Sequence, residues 1–246
     1  MSAAILRATA HRPWPLPVRP WIARQSWHDL LFAHWPVEIA ALRRLVPAAL
    51  PLDLHEGLAW VGVVPFRMSD VAPRGVPSLP GISAFPELNV RTYVSPGGRP
   101  GVYFFSLDAT NRLAVAAARM LFGLPYHGTA MSCVRRGDEI DYACRRAGRV
   151  PAEFRGRYRP TGPPAAPLPG TLAHFLTERY CLYTVRADSQ VRRLEIHHPP
   201  WALQPASADI EVNTMALAAG IALPPAPPLL HFAARQDVVC WWPSPP

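Results

Sequence analysis

Proline is the residue that most limits what this chain can fold into. The 246 residues include 31 prolines, which are distributed over the whole length. Each proline fixes a backbone angle and lacks an N–H donor, so it interrupts helices and the interiors of sheets. Long helices are therefore excluded, and short strands with irregular connections are favoured. The sequence predicts a mainly β fold with a few helices (α+β).

Two helices are predicted from their boundary residues. The first covers Val37 to Leu45 and is flanked by a proline on each side. The second covers Ala109 to Phe122 and is rich in Ala, Leu, Met and Arg. Asp108 stands where an N-cap is wanted, and Gly123 stands where a left-handed C-terminal cap is common.

Nine strands are predicted from aromatic and β-branched content. They are Leu58 to Phe66, Leu88 to Val94, Gly101 to Leu107, Thr129 to Arg136, Glu139 to Arg146, Glu153 to Tyr158, Tyr180 to Ala187, Val191 to His197 and Val238 to Trp242. Turns at residues 136–138 and 187–189 indicate antiparallel hairpins, and the proline-rich stretches 161–170 and 223–228 indicate loops. Many short strands around one or two helices predict a closed or nearly closed barrel, with helices outside it or plugging an end.

Composition narrows the class of protein further. The formal charge is +8 and acidic residues are interspersed among the basic ones, so no specific nucleic-acid partner is indicated. The N-terminus lacks the apolar core of a signal peptide and no long apolar stretch occurs, so we expect a cytoplasmic protein without a membrane partner.

Motifs for metals and cofactors are missing from the sequence. The four cysteines form no CxxC pair, and no HxH or HxxxH spacing occurs, so we expect free thiols and no metal site. A P-loop, a GxSxG elbow and a GxGxxG segment after a strand are also missing. No cofactor is therefore expected.

The segment 87–94 carries the most informative local pattern. Its alternation places four polar residues on one face of a strand, namely Glu87, Asn89, Arg91 and Tyr93. In an exposed edge strand this face would merely be solvated. Inside a small barrel, the same side chains would line a cavity and recognise a polar ligand.

A second candidate follows the longer predicted helix, in the segment Gly123-Leu124-Pro125-Tyr126-His127-Gly128. Its glycines and proline predict a tight turn from the helix into the next strand, with Tyr126 and His127 at the start of that strand. A histidine there could act as an acid or base near neutral pH, although packed or exposed loop histidines are common. The alternating arginines at 155, 157 and 159 could clamp an anion, but a solvated outer strand face is favoured.

The chain contains no lysine, so all 25 basic residues are arginines. A guanidinium stays protonated and cannot form the carbonyl Schiff base on which many decarboxylases and aldolases depend. A GC-rich coding bias explains the surface arginines. Within a buried site, however, the absence excludes an amine nucleophile.

Several segments resemble the YqjF-like bacterial family of uncharacterised proteins. They are LFAHWPV (31–37), WVGVVPFRM (60–68), FPELNVRTYV (85–94), GVYFFSLD (101–108), FLTERY (175–180) and HPPWALQ (198–204). The resemblance extends from about Trp27 to Trp242. It implies one barrel domain over residues 27–246, preceded by an N-terminal extension of residues 1–26.

That family is in turn similar to acetoacetate decarboxylase, a β-barrel with a central cavity and flanking helices. An aromatic-Pro-Glu segment there supplies an active-site glutamate, and Phe85-Pro86-Glu87 resembles it. The catalytic lysine there follows a Gly-aromatic-Pro segment, which Gly123-Leu124-Pro125 resembles, but the next residue here is Tyr126. The resemblance implies that Glu87 is a cavity acid and Tyr126 a cavity position, and that Schiff-base decarboxylation is not inherited.

These inferences predict a barrel that binds a small polar, carboxylate-bearing ligand through Asn89, Arg91 and Tyr93. Any reaction would be acid–base, lyase-like chemistry, with three candidate catalytic residues: Glu87, Tyr126 and His127. A non-catalytic binding or sensing module is the alternative, and a nucleic-acid-binding protein is least favoured. Because related barrels assemble, a homo-oligomer is also expected.

Overall fold

The computed structural model describes residues 2–79, 81–186 and 188–246. Its strands are β1 (Ala23–Val37), β2 (Ala59–Pro73), β3 (Phe85–Val94), β4 (Gly101–Ala109), β5 (Tyr126–Gly128), β6 (Ala130–Arg136), β7 (Glu139–Arg146), β8 (Ala152–Pro160), β9 (Cys181–Val185), β10 (Val191–His197), β11 (Gln204–Asn213) and β12 (Leu229–Cys240). Its α-helices are α1 (Ser2–Arg7), α2 (Ile39–Leu45), α3 (Arg112–Phe122) and α4 (Leu172–Thr177). Short 3₁₀ helices cover Pro96–Gly98 and Leu217–Ala219.

Seven strands form a closed ring in the order β1, β2, β3, β4, β9, β10 and β12. Neighbouring strands are antiparallel except β4 and β9, which are parallel. The pairing of β12 with β1 closes the ring, from Ala23 opposite Cys240 to His34 opposite Leu229. The predicted mainly β fold, a barrel with flanking helices, is confirmed.

A second, antiparallel sheet of β6, β7, β8 and β11 covers one side of the ring. It is joined to the ring where β11 pairs with β12. The main apolar core lies between the two layers, where Leu31, Val63 and Val90 of the ring pack with Tyr142 and Phe154. Because side chains alternate along a strand, the residues between these positions point into the ring.

Apolar side chains fill much of the ring interior. Toward one end, Phe32 and Phe66 form a cluster with Trp201, which contacts Phe32 edge-on at a ring-centroid distance of 5.0 Å. At the other end, Leu176 of α4 packs with Tyr93. The inward positions of β3 therefore run between an aromatic cluster and a helical plug.

The longer predicted helix begins later than its N-cap signal indicates. β4 continues to Ala109, and α3 begins at Arg112. Asp108 is not the cap, because its carboxylate accepts hydrogen bonds from the buried guanidinium of Arg146, with Oδ1 2.7 Å from Nε. Gly123 has φ of +66°, which confirms the predicted left-handed conformation after the helix.

Other local predictions have mixed outcomes. The β6–β7 hairpin is confirmed, with Gly137 at φ +62° between paired Arg136 and Glu139. β9 and β10 pair as predicted, although Ala187 of their turn lies outside the described residues. β1 and β11 were not predicted, and the strand predicted from Val238 already begins at Leu229.

The outer surface of β8 carries arginines, as predicted. Phe154 and Tyr158 are buried, whereas Arg155 and Arg157 are exposed and reach acidic side chains of β11. All four cysteines are free, as predicted. Among the described residues, none of the helices is both long and apolar enough to span a membrane.

The N-terminal segment lies against the ring. Arg12 donates to the buried Glu195 carboxylate of β10 at 2.8 Å, and the Trp14 indole donates to the same oxygen at 2.9 Å. His197 of β10 contacts the carbonyl oxygen of Ile5 at 2.9 Å. These contacts hold the segment before β1 against strand β10 of the ring.

Candidate functional site

The polar row of β3 points into the ring. Glu87 is 3% exposed, Asn89 5% and Tyr93 0%, and Arg91 is partly buried. β3 pairs with β2 on one side and β4 on the other, and its opposite face packs in the main core. The alternative of a half-solvated edge strand is therefore wrong.

Glu87 and Tyr126 are in direct contact, although 39 residues separate them in the sequence. The Tyr126 hydroxyl donates to Oε2 of Glu87 at 2.9 Å. Their meeting follows from register, because Leu107 of β4 is opposite both Asn89 of β3 and Tyr126 of β5. The structure thus brings together the two residues that the resemblance to the decarboxylase placed in a cavity.

Burial controls the protonation of this pair. Desolvation raises the pKa of Glu87 to about 8, against a smaller lowering by the Tyr126 hydrogen bond. Burial, followed by the nearby Glu87 carboxyl, raises the pKa of Tyr126 well above its ordinary value. Near neutral pH the pair is therefore predominantly a neutral carboxylic acid and a neutral phenol.

Arg91 and Tyr93 share a backbone acceptor on the helical plug. The Arg91 guanidinium donates to the Leu176 carbonyl oxygen at 3.1 Å, and the Tyr93 hydroxyl donates to it at 2.9 Å. The guanidinium lies over the Phe32 ring, 5.4 Å from its centroid. Its Nε is buried and has no hydrogen-bond partner among the described residues, and the same is true of Oδ1 of Asn89.

His34 belongs to this group but was not among the predicted site residues. It is fully buried on the inward face of β1, and its Nε2 lies 2.7 Å from the Tyr93 hydroxyl oxygen. Burial, and then the positive charge of Arg91, lowers the pKa of His34 well below its ordinary value. The sequence does carry a signal for this position, because Phe32 and His34 alternate with the core residues of β1 and so share the inward face.

His127 does not join the group. It follows Tyr126 directly in β5, so its side chain points to the opposite face of the strand, and it is in register with Asp108. Burial lowers the pKa of His127, as does the charge of Arg146, which is held by Asp108. His127 therefore lies near the Asp108–Arg146 ion pair, which joins β4 to the second sheet.

The interior group offers a defined set of chemical functions. Glu87 supplies a neutral acid, Tyr126 a phenol, Arg91 a cation and His34 a neutral imidazole. Within the described ranges, no group of three or more His, Cys, Asp or Glu side chains is placed to hold a metal ion. These functions suit hydrogen bonding to a small anion and proton transfer from a carboxylic acid.

Comparison with solved structures defines the class of fold. Acetoacetate decarboxylase from Legionella pneumophila matches with a TM-score of 0.63 and 14% identity, covering 98% of this chain and 94% of that one. The enduracididine biosynthesis enzyme MppR, complexed with pyruvate, matches with a TM-score of 0.62 and 12% identity, covering 94% and 92%. The protein has the acetoacetate-decarboxylase-like fold.

Sequence comparison identifies the family. The model of the uncharacterized conserved protein family DUF2071 matches residues 24–237. The uncharacterized protein YqjF of Bacillus subtilis (strain 168) is 49% identical over 221 residues, covering 90% of this chain and 91% of that protein. The chain belongs to the DUF2071 family.

Proposed function

We propose that this protein binds a small polar ligand with a carboxylate inside the ring. Arg91 would hold the carboxylate, and Asn89 and Tyr93 would complete the polar wall. The observation that carries the proposal is a pair of buried polar atoms, Arg91 Nε and Asn89 Oδ1, on neighbouring inward positions of β3, for which the described part of the chain offers no hydrogen-bond partner. A buried polar atom without a partner costs about 1–3 kcal/mol, which a bound ligand would recover.

The charge of the site favours an anion. Arg91 is the cation of the interior group, and Glu87 is largely protonated near neutral pH because burial raises its pKa to about 8. With Glu87 neutral, the Arg91 guanidinium leaves the interior group with a net positive charge. The fold neighbour MppR, which was solved with pyruvate, offers a precedent for a small carboxylate within this architecture.

Any reaction would be acid catalysis without a Schiff base. The chain has no lysine, and Tyr126 occupies the position that resembles the amine site of the decarboxylase. Glu87 would act first as a proton donor, and Tyr126 would stabilise the carboxylate that remains through its hydrogen bond of 2.9 Å.

A non-catalytic binding or sensing module is the second candidate. It is favoured by the contact between Glu87 and Tyr126, because each group already has the other as its hydrogen-bond partner. In such a module the ligand would contact Arg91 and Asn89 and leave chemically unchanged.

Calorimetry and thermal shift with small carboxylic acids test the binding proposal. The panel contains acetate, propionate, pyruvate and butyrate, and the proteins are wild type, Arg91→Met and Arg157→Ala. Arg157 is a matched control because it is exposed on β8 and pairs with Asp209 outside the ring. At ten times its dissociation constant, a ligand should stabilise the wild type by about 1.4 kcal/mol, or about 3–6 °C in Tm.

Arg91→Met should lower the affinity for the preferred acid at least about tenfold, whereas Arg157→Ala should bind that acid with the affinity of wild type. Equal affinities in all three proteins would refute the role of Arg91. Mass spectrometry of the incubated acid separates the two candidates. A product formed by wild type and absent with Glu87→Gln supports catalysis, and unchanged acid throughout supports the binding module.

A further inference from the structure

The environment of His34 fixes which ring nitrogen carries the proton. The Leu176 carbonyl can only accept, so the Tyr93 hydroxyl donates its single proton to it across 2.9 Å. The Tyr93 oxygen must then accept from Nε2 of His34 across 2.7 Å. A neutral imidazole has one ring proton, so Nδ1 of His34 is left as an acceptor.

That acceptor is buried without a partner. Nδ1 of His34 has no hydrogen-bond partner among the described residues, and the whole residue is 0% exposed. The Tyr93 and Leu176 contacts hold the ring by its other nitrogen, and Phe32 stacks on it at a centroid distance of 6.1 Å. The imidazole is therefore held as a preformed hydrogen-bond acceptor.

A glycine allows His34 and Arg91 to lie side by side. Gly62 of β2 is in register with His34 on one side and Arg91 on the other. A Cβ at this position would lie 2.9 Å from His34 Nε2 and 3.5 Å from Arg91 Cγ. Because Gly62 has no side chain, the Nε2–Cδ2 edge of the His34 ring lies next to the Arg91 side chain.

We propose that His34 is a ligand-binding residue whose Nδ1 accepts a hydrogen bond from a hydroxyl group of the ligand. The inference rests on the proposed function, in which Arg91 binds the carboxylate of that ligand. The ligand class is thus a small hydroxy acid. An amino acid fits less well, because its ammonium group would be buried beside Arg91 with only the ligand's own carboxylate to balance two positive charges.

Matched pairs of acids, with and without the hydroxyl, test this proposal. Calorimetry compares glycolate with acetate, each lactate enantiomer with propionate, and 3-hydroxybutyrate with butyrate. Wild type should prefer the hydroxy acid of at least one pair by about three- to tenfold, the range of one hydrogen bond. His34→Phe should reduce that preference to less than about twofold, because its ring fills similar space without an acceptor.

Tyr93→Phe provides a second variant, because it removes the acceptor of the Nε2 proton and leaves the His34 ring in place. In Tyr93→Phe the preference for hydroxy acids should fall to a value between those of wild type and His34→Phe. Nitrogen-15 spectra should show the ring proton on Nε2 in wild type and a share of it on Nδ1 in the variant. Tyr103→Phe is the matched control, since that tyrosine packs against Phe105 on the outer face of β4.

Each outcome decides between the two proposals. If wild type binds both members of every pair equally, or if His34→Phe keeps the preference, the role of His34 is overturned while carboxylate binding stands. If wild type binds no acid of either kind, the proposed function fails and this inference fails with it.

Discussion

Glu87→Gln should remove a large pH-dependent penalty on folding. Burial raises the pKa of Glu87 from 4.5 to about 8 in the folded protein. Below pH 4.5 the carboxyl is protonated in both the folded and the unfolded chain, and stability is unaffected. Between pH 4.5 and 8 the unfolded chain loses this proton and the folded chain retains it, so the stability of the wild type falls.

The magnitude follows from the difference between the two pKa values. At 1.36 kcal/mol per pH unit, wild type should lose up to about 5 kcal/mol relative to Glu87→Gln between pH 4.5 and 8. The glutamine is neutral throughout, and its side-chain oxygen can still accept from the Tyr126 hydroxyl. The variant should match wild type near pH 4.5 and exceed it at pH 8 by on the order of 10 °C in Tm.

Urea denaturation of both proteins from pH 4 to 8.5 measures this difference directly. Glu56→Gln is the control, because Glu56 is exposed and its replacement should change stability by no more than about 0.5 kcal/mol at any pH. A constant difference between wild type and Glu87→Gln over this range would refute the buried neutral acid.

Three further predictions concern the site and its support. Gly62→Ala would place a Cβ 2.9 Å from His34 Nε2 and should cost about 1–3 kcal/mol in urea denaturation. Gly128→Ala, where a Cβ meets nothing within 4 Å, should be neutral or stabilising, and equal losses in the two variants would contradict the crowded interior. Asp108→Asn should destabilise by about 3–5 kcal/mol, because Arg146 stays buried without its counter-charge, and a silent substitution would contradict that pairing. Tyr126→Phe should raise the pKa of Glu87 further, since the Tyr126 hydrogen bond lowers it, and carbon-13 titration of the carboxyl should show a higher midpoint rather than an unchanged one.

Local sequence signals identified much of the secondary structure, but not which strands pair to close the barrel. The alternation at 87–94 correctly placed Glu87 and Asn89 on one face, because side-chain direction is a property of the strand itself. Ring closure depends on the parallel pairing of Val102 with Leu182 and on the pairing of β1 with β12. These contacts join distant parts of the chain, and no local pattern encodes them.

Asp108 shows how a distant partner overrides a local signal. Its position before a helix-forming segment predicts an N-cap, but Arg146, 38 residues later, binds its carboxylate inside the protein. β11 was missed for a different reason. Its residues, QPASADIEVN, are mostly small or polar, and they include no aromatic residue and only two β-branched ones, so the content typical of strands is low.

The candidate site was predictable residue by residue but not as an arrangement. Tyr126 and His127 are adjacent, and the predicted turn placed both side chains at the start of the same strand. In the structure, strand β5 directs them to opposite faces, so Tyr126 reaches Glu87 and His127 does not. His34 was overlooked because its significance depends on Gly62 and Arg91, which become its neighbours only through the register of β1, β2 and β3.

A crystal structure with a bound small carboxylic acid would test the interior site most directly. We expect the carboxylate within hydrogen-bond distance of the Arg91 guanidinium, inside the ring, with a ligand hydroxyl directed at Nδ1 of His34. An acid bound instead in the outer groove beside Arg19, Arg99 and Arg193, with the interior contacts of Arg91 unchanged, would contradict the proposal.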